Sequence, residues 1–439
     1  MVFTKDYFTF GNNMHPQFSL QYAKLLDSND VLQPSREDFY IPIVHNKPAI
    51  YFLGNSLGLQ PKTTQDEILK IMEAWANFGV EGFFIGKEPW LNYHKKITPL
   101  LCDIMGAKEN ELVTMNHLTV NLHLLMVSFY QPTAKRYKII CEAKAFPSDQ
   151  YAFQSQVKLY GLNSVDAIIE VLPKVGTDII TTEDIIATIE QHKESVALVL
   201  FSGVNYYTGQ VFDMEAITKA THQAGSYAGF DLAHAAGNIN LQLHDWDVDF
   251  ACWCNYKYLN SGPGTIAGAF INEKHLQNNS LKRLEGWWGN DSSNRFKMEK
   301  TFMPSPTAEA WQLSTPPMLL LAAHKASLEI FQKAGFKNLL AKSKSLSEYL
   351  FFALDTINPP DKKFTILTPR NSNEKGCQVS IVIHKNAKAI FDELLPNGIF
   401  ADWREPNVIR VAPVPLYNSF EEIFTFASTL QQLLNKHHV

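Results

Sequence analysis

Between positions 63 and 268 the chain repeats one pattern: a short run of apolar and β-branched residues, a polar turn, a longer stretch with helical spacing, then another apolar run. This alternation constrains the fold more than any other feature. Strands joined by helical crossovers must run parallel within one sheet, and helices then cover both of its faces. Six or seven strands are expected, the clearest at 137–141, 168–172, 196–201, 227–231, 249–253 and 265–271, with helices at 149–158, 182–191 and 214–224. In open sheets of this kind ligands bind beyond the carboxyl ends of the strands, so polar residues just after each run are the candidates for chemistry.

Past 286 the pattern changes. A loop-rich stretch, GWWGNDSSNRFKMEKTFMPSP, leads into helical patterns at 317–334 and 336–354, and then strands at 365–367, 377–383 and 408–411 alternate with helices at 387–395 and 420–434. The expected organisation is an N-terminal arm with part of the small domain over 1–60, a large domain over 61–310 and a small α+β domain over 311–439. No Gly/Ser linker or internal repeat separates them, so the domains are expected to pack closely around a cleft. Lys plus Arg number 39 against 44 Asp plus Glu, a net charge of −5 that argues against nucleic acid or an acidic membrane as partner. The five cysteines are scattered, without a CxxC pair, and read as reduced thiols. The opening MVFTKDYFTF lacks an apolar signal core, and no run approaches the roughly 18 residues of a membrane span, so a soluble cytoplasmic protein is expected.

Chemistry concentrates in FDLAHAAG (230–237) and CWCNYKYLNSGPG (252–264). Asp231 ends a central strand, and Lys257 follows the next one. A buried carboxylate facing a protonated ring nitrogen, with a lysine able to form a Schiff base at the same point, is the arrangement pyridoxal 5′-phosphate requires. On these two residues alone a strand-end cap and a surface lysine explain the pattern equally well. Leu118 and Thr119 precede an apolar helical pattern, so Thr119 is a candidate helix cap with amide groups facing a phosphate; an ordinary N-cap fits as well. Ser202 after VALVLF, and Phe146 and Asp149 within FPSD, fall at the same sheet edge, although such residues singly are more often turn caps or core. His234 suits a cofactor contact or an orienter of Asp231, against the alternative of a bonded core histidine. Arg410 suits a bidentate grip on a substrate carboxylate or an interdomain salt bridge. Trp287 and Trp288 suit a stacking surface, an interface anchor or plain packing. There is no GxGxxG after the first strand, no Walker A sequence and no HExxH, which disfavours dinucleotide, nucleotide and metal chemistry.

These residues resemble the kynureninase family, pyridoxal-phosphate enzymes of the aspartate-aminotransferase-like fold (type I). The matching stretches are YFLGNSLGLQPK (51–62), MNHLTVNLHLLM (115–126), EAKAFPSDQYA (142–152), LFSGVNYYTGQ (200–210), GFDLAHAAGN (229–238), DFACWCNYKYLNSGPGTIAGAFI (249–271), GWWG (286–289), STPPML (314–319) and VIRVAPVPLYNSF (408–420). The resemblance implies an α/β fold with a mostly parallel seven-stranded sheet in the large domain and a smaller α+β C-terminal domain. It implies that Lys257 is the Schiff-base lysine and Asp231 the pyridinium partner, with His234 beside them. Leu118, Thr119, Ser202 and Tyr256 become phosphate and ring contacts, Phe146 the stacking ring, and Asp149 its neighbour. Trp287 and Thr315 match positions contributed to the cofactor across a homodimer interface. Arg410 matches the grip on the substrate α-carboxylate, with Asn55 and Ser56 in the loop beside it.

The implied reaction is hydrolytic Cβ–Cγ cleavage of L-kynurenine or 3-hydroxy-L-kynurenine to L-alanine and anthranilate or 3-hydroxyanthranilate, a step of tryptophan degradation or NAD biosynthesis. Tyr256, next to Lys257, is read as an acid/base for its later phase. Animal members of the family carry His and Asn where this chain has Phe83 and Thr315, and bacterial kynurenine-preferring members more often carry Trp and Thr. Phe83 matches neither group and cannot bond a ring hydroxyl, so both substrates are expected, with only Thr315 tilting toward the unsubstituted one. Another lyase or transaminase of this fold, such as a cysteine desulfurase-like enzyme, is the nearest alternative, but Cys252 and Cys254 lie in an expected strand instead of a mobile loop. A non-catalytic relative would have no chemical reason to keep both Lys257 and Asp231.

Overall fold

The computed structural model describes residues 16–278, 280–358 and 362–438; the N-terminal decapeptide read above lies outside them. Seven strands form the large sheet: β1 (Leu112–Thr114), β2 (Lys138–Glu142), β3 (Ile168–Val171), β4 (Val196–Ser202), β5 (Tyr227–Asp231), β6 (Phe250–Cys254) and β7 (Ala267–Ile271). Their order is β1-β7-β6-β5-β4-β2-β3. The run from β6 to β3 is parallel, while β7 is antiparallel to both β6 and β1. All five residues of β6, Phe-Ala-Cys-Trp-Cys, are buried, as expected for a strand with helices on both faces. Phe250 stacks on Phe129 at 4.6 Å. A Cβ on Gly229 of β5 would lie 2.2 Å from the Phe250 ring, so glycine is required for the two strands to lie side by side.

Two differences from the sequence reading have local causes. β1, three residues long, is too short to show a period and was not anticipated. The strand expected from 265 starts at Ala267, because the Thr265 N–H closes a turn on the Gly262 carbonyl. Among the described residues no helix is long and apolar enough to cross a membrane.

The second sheet, β8 (Phe364–Ile366), β9 (Val379–Ile383), β10 (Asp402–Arg404) and β11 (Val408–Val411), is antiparallel in the order β8-β9-β11-β10. Its two-residue period sends Val379, Ile381, Ile383, Ile409 and Val411 into a core with Leu346, Leu350, Leu354, Phe426 and Leu430. Ser380 and Arg410 therefore point to the opposite face. The N-terminal arm is tied to this unit. Ile50–Tyr51 pairs in parallel with Ile399–Phe400, and the Asp27 carboxylate, at the end of helix Leu20–Ser28, accepts the Phe420 and Glu421 N–H groups that open helix Phe420–Lys436.

At the opposite end of the large sheet from the carboxyl termini, buried Asp249 gathers the Ala228 N–H (2.7 Å), His222 Nε2 (2.8 Å), His275 Nε2 (2.7 Å) and Lys274 Nζ (3.0 Å). Burial alone would raise its pKa; the His222 and His275 bonds and the Lys274 charge outweigh it and hold the carboxyl well below the usual range. Asp249→Ala leaves these donors facing a void. We expect it to lower the unfolding free energy by about 3–5 kcal/mol in urea denaturation at neutral pH, and a loss below about 1 kcal/mol would mark the cluster as solvated.

Candidate active site

Parallel register fixes where side chains meet. β2 ends at Glu142, β4 at Ser202 and β5 at Asp231, and Ser202, Asp231 and Cys252 are lateral neighbours across β4, β5 and β6. β2 connects outward to β3 while β4 connects inward to β5, so a crevice opens between their carboxyl ends. Nine of the residues singled out from the sequence line one cavity of about 180 Å³ there: Leu118, Thr119, Phe146, Asp149, Ser202, Asp231, His234, Tyr256 and Lys257. A larger groove of about 800 Å³ runs between Thr181–Glu183, Asp213–Glu215 and Lys344, but it holds none of them. Chemistry, not size, marks the site.

Lys257 Nζ lies 3.1 Å from His234 Nε2 and 5.9 Å from the centre of the Phe146 ring. Burial, aided by the positive charges of Lys257, Arg410 and Arg404, pushes His234 well below its usual pKa, so a neutral imidazole accepts the lysine hydrogen bond. Asp231 Oδ1 accepts the Ala233 N–H at 2.7 Å, and its carboxyl is hydrogen-bonded to that of Asp149. Burial raises both acids. Asp149 is pushed further by the nearby Asp231 and Glu142 charges, whereas the Ala233 N–H and Lys257 restrain Asp231, so the pair favours keeping a proton and Asp149 is the more strongly raised of the two.

Thr119 does not cap its helix. Asn116, at a φ of +49°, turns the chain, extended His117 is the N-cap, and Leu118 and Thr119 form the first turn of helix Leu118–Phe129. The helix begins earlier than the apolar pattern suggests, and its positive end faces the cavity through these two residues. His234 Nδ1 is buried without a hydrogen-bond partner in the chain. Buried polar atoms of this kind call for a ligand or water. A helix N-terminus, a ring at Phe146, a carboxylate pair and a lysine suit a flat aromatic ligand that carries a carbonyl and an anion.

The small domain reaches this cavity through a neighbour that sequence reasoning missed. Tyr206 lines it, with its ring edge-on to Phe146 at 5.2 Å, and its carbonyl accepts from Arg410 Nη1 and from Gln378 Nε2 (3.0 Å). Gln378 Oε1 in turn accepts from buried Asn55 at 3.0 Å. Half-buried Ser56 is next in the same loop, and the Gly58 N–H donates to the Tyr256 carbonyl at 2.8 Å. A Cβ on Gly58 would lie 2.4 Å from the Lys257 carbonyl, so only glycine lets the arm press against the lysine backbone. Arg410 is fully buried, and its ion partner is Asp402 in its own sheet, so the alternative of an interdomain salt bridge is not what forms.

Glu142, also unforeseen, ends β2 in the cavity wall and accepts the Ser202 N–H with both oxygens, at 3.2 and 3.1 Å. An acid at the carboxyl end of a strand is the signal that identified Asp231, and it was present at 142. Tyr256 has its phenol raised above the usual range by burial, and it is bonded to the Cys254 thiol. Cys252 and Cys254 are buried in β6 with thiols pushed up by burial. Six candidates lie outside the cavity lining of this chain: Asn55, Ser56 and Arg410, held in the contacts just described, and Phe83, Thr315 and Trp287. Phe83 packs edge-on against Trp90 at 5.3 Å, Thr315 is exposed, and Trp287 is 45% exposed beside Phe296, whereas Trp288 is core.

Residues 339–430 match the family model described as the kynureninase C-terminal domain. The chain is 52% identical to the kynureninase of Flavobacterium psychrophilum, over 95% of this chain and 98% of that protein. It is 48% identical to the kynureninase of Homo sapiens, over 93% and 92% of the two chains. Among solved structures it resembles a cysteine desulfurase from Thermococcus onnurineus, with a TM-score of 0.73 at 17% identity over 92% of this chain and 98% of the other. A cystine C–S lyase in complex with cysteine persulfide gives 0.73 at 16% identity over 87% and 97%. At such identities these two likenesses concern the fold alone.

Burial pushes the Glu142 carboxyl up to about 7. A raised acid binds its proton more tightly in the folded chain, so its contribution to stability is lost as pH rises from the unfolded value toward 7. Glu142→Gln keeps an acceptor for the Ser202 N–H and removes the charge. The ligand-free variant is expected to be more stable than the parent by about 1–3 kcal/mol at pH 8 and nearly equal to it at pH 5; the same difference at both pH values would contradict this account.

Proposed function

The chain belongs to the kynureninase family, and from that premise we propose that it hydrolyses the Cβ–Cγ bond of L-kynurenine and 3-hydroxy-L-kynurenine, releasing L-alanine with anthranilate or 3-hydroxyanthranilate. It is a pyridoxal-phosphate enzyme. The observation that carries the substrate reading is the convergence of Lys257, neutral His234 and the Asp231–Asp149 pair in one cavity, with Arg410 bonded to the carbonyl of Tyr206 in its wall. Leu118, Thr119 and Ser202 would hold the phosphate, Phe146 would cover the ring, and Asp231 would pair with its nitrogen. When bound, the cofactor supplies an electron-accepting ring that stabilises negative charge at the substrate α-carbon.

The protein groups then have separate tasks. Lys257 Nζ takes the α-proton, and His234 Nε2 orients it. Asp149, the more strongly raised acid, lets Asp231 stay the anionic partner of the pair. Arg410 grips the α-carboxylate, with Asn55 and Ser56 beside it. The phenol of Tyr256 stays protonated at neutral pH, which suits it to deliver a proton in the later phase, when water has added to the γ-carbonyl and the Cβ–Cγ bond breaks. Phe83, a hydrocarbon ring against Trp90, bonds no ring hydroxyl, in keeping with turnover of both substrates.

We read the assembly as a homodimer in which Trp287 and Thr315 serve the partner's cavity. Its support is the exposure of the apolar side chains Trp75, Phe78, Val80, Phe84, Phe296 and Trp287, with Phe296 packed against both Phe84 and Trp287. We place the domain limits near 60 and 310, between the two sheets. A cytoplasmic location fits the five free cysteines.

The holoenzyme is expected to show a visible absorption band that Lys257→Ala abolishes, and to consume L-kynurenine with equal release of alanine and anthranilate. A band without turnover would sink the substrate reading. Tyr256→Phe is expected to keep the band and lower kcat by about 10²–10³-fold; full turnover in that variant would remove the acid role.

A further inference from the structure

Arg410 has two charged neighbours that the reaction above does not use. In the antiparallel pairing of β10 with β11, Asp402 stands opposite Arg410 and Arg404 opposite Val408. Trp403 packs on the small-domain core together with Ile409 and Val411, so the two-residue period puts Asp402, Arg404 and Arg410 together on the other face, toward Tyr206. The Asp402 carboxylate touches Nη2 of Arg410 and lies 3.3 Å from Nη2 of Arg404. Arg404 sits 6.0 Å from the centre of the Tyr206 ring, which lines the cavity. Both guanidiniums act on His234, so both are near enough to influence a ligand there.

The charge count of this cluster has a consequence for substrate choice. Two guanidiniums and one carboxylate leave a net charge of +1, and a substrate with one carboxylate brings the total to zero. A guanidinium offers a planar fork that fits a carboxylate, and a free Arg404 would form a second such fork beside the first. Aspartate and glutamate carry a side-chain carboxylate that such a fork would take. Kynurenine ends in a neutral aryl ketone and has no use for it. We propose that Asp402 is a specificity-determining residue: by occupying Arg404 it closes the second carboxylate subsite, so that the enzyme admits amino acids with a single carboxylate and turns away dicarboxylic ones. Discrimination of this kind works by placing a repelling group against the wrong ligand instead of a new attraction for the right one. The inference rests on Arg410 as the α-carboxylate grip.

The test compares holoenzyme of the parent, Asp402→Asn, Arg404→Gln and the double variant. Dissociation constants of L-aspartate, L-glutamate and L-alanine are measured by calorimetry, and inhibition of kynurenine hydrolysis is measured in parallel. Asp402→Asn is expected to tighten L-aspartate and L-glutamate about tenfold relative to L-alanine, and the double variant to lose that gain. No gain, an equal gain for all three ligands, or a gain that survives in the double variant overturns the proposal. Arg404→Gln alone gives an independent reading should Asp402→Asn fail to fold. With Arg404 already occupied in the parent, its loss should leave the aspartate-to-alanine ratio within about twofold, and a tenfold weakening of aspartate would overturn the proposal. Calorimetry needs no turnover, so failure of the kynurenine assay in the parent speaks against the substrate reading and not against this one.

Discussion

The site depends on the hydrogen-bonded register that sets Ser202 and Asp231, at the carboxyl ends of β4 and β5, side by side with Cys252 in β6. A slip of one residue would turn each of these side chains to the other face of the sheet. With the register held, Asp231 stays buried next to Asp149, and the loop after β6 returns Lys257 to within hydrogen-bond distance of His234. Packing enforces it from below. The Phe250 ring fills the space that a side chain at Gly229 would need, so β5 and β6 fit together in one alignment. Burial on both faces then supplies the low-dielectric surroundings that raise two adjacent acids together and keep an imidazole beside an ammonium neutral.

How much of this could be read from the sequence follows from the range of each interaction. Asp231 and Lys257 were legible because each directly follows a strong apolar strand run, and the position of a residue after its strand is local information. The seven-stranded, mostly parallel sheet was legible for the same reason, apart from β1, whose three residues make sense only against β7. Thr119 was misplaced by one element of local geometry: the positive φ of Asn116 starts the helix before the apolar spacing does. Glu142 carried the same strand-end signal as Asp231 and was passed over, and Asp402 meets Arg410 only through the pairing of β10 with β11; Tyr206 and Gln378 were not picked out because each acquires its role from a partner far along the chain. The Gln378 bond to Tyr206 spans 172 positions and that of Asn55 to Gln378 spans 323. No window of spacing reports on contacts of that reach.

The electrostatics divide into two levels. Around the lysine, acids outnumber cations, and the surplus is absorbed by protons held on buried carboxyls, Glu142 and Asp149. On the small-domain face the reverse holds: two guanidiniums share one carboxylate. A zwitterionic amino acid entering between these levels has its ammonium end drawn to one and its carboxylate to the other, which orients it before any bond changes.

The joint between the two levels runs through the Tyr206 carbonyl, which both Arg410 and Gln378 hold. Because that contact is to the main chain, it does not depend on which residue occupies position 206. A substitution of the Tyr206 side chain, which faces Phe146 in the cavity, therefore reshapes the cavity wall while the main-chain joint to the small domain stays fastened. The shape of the cavity wall and the firmness of the joint are thus set by different atoms of one residue.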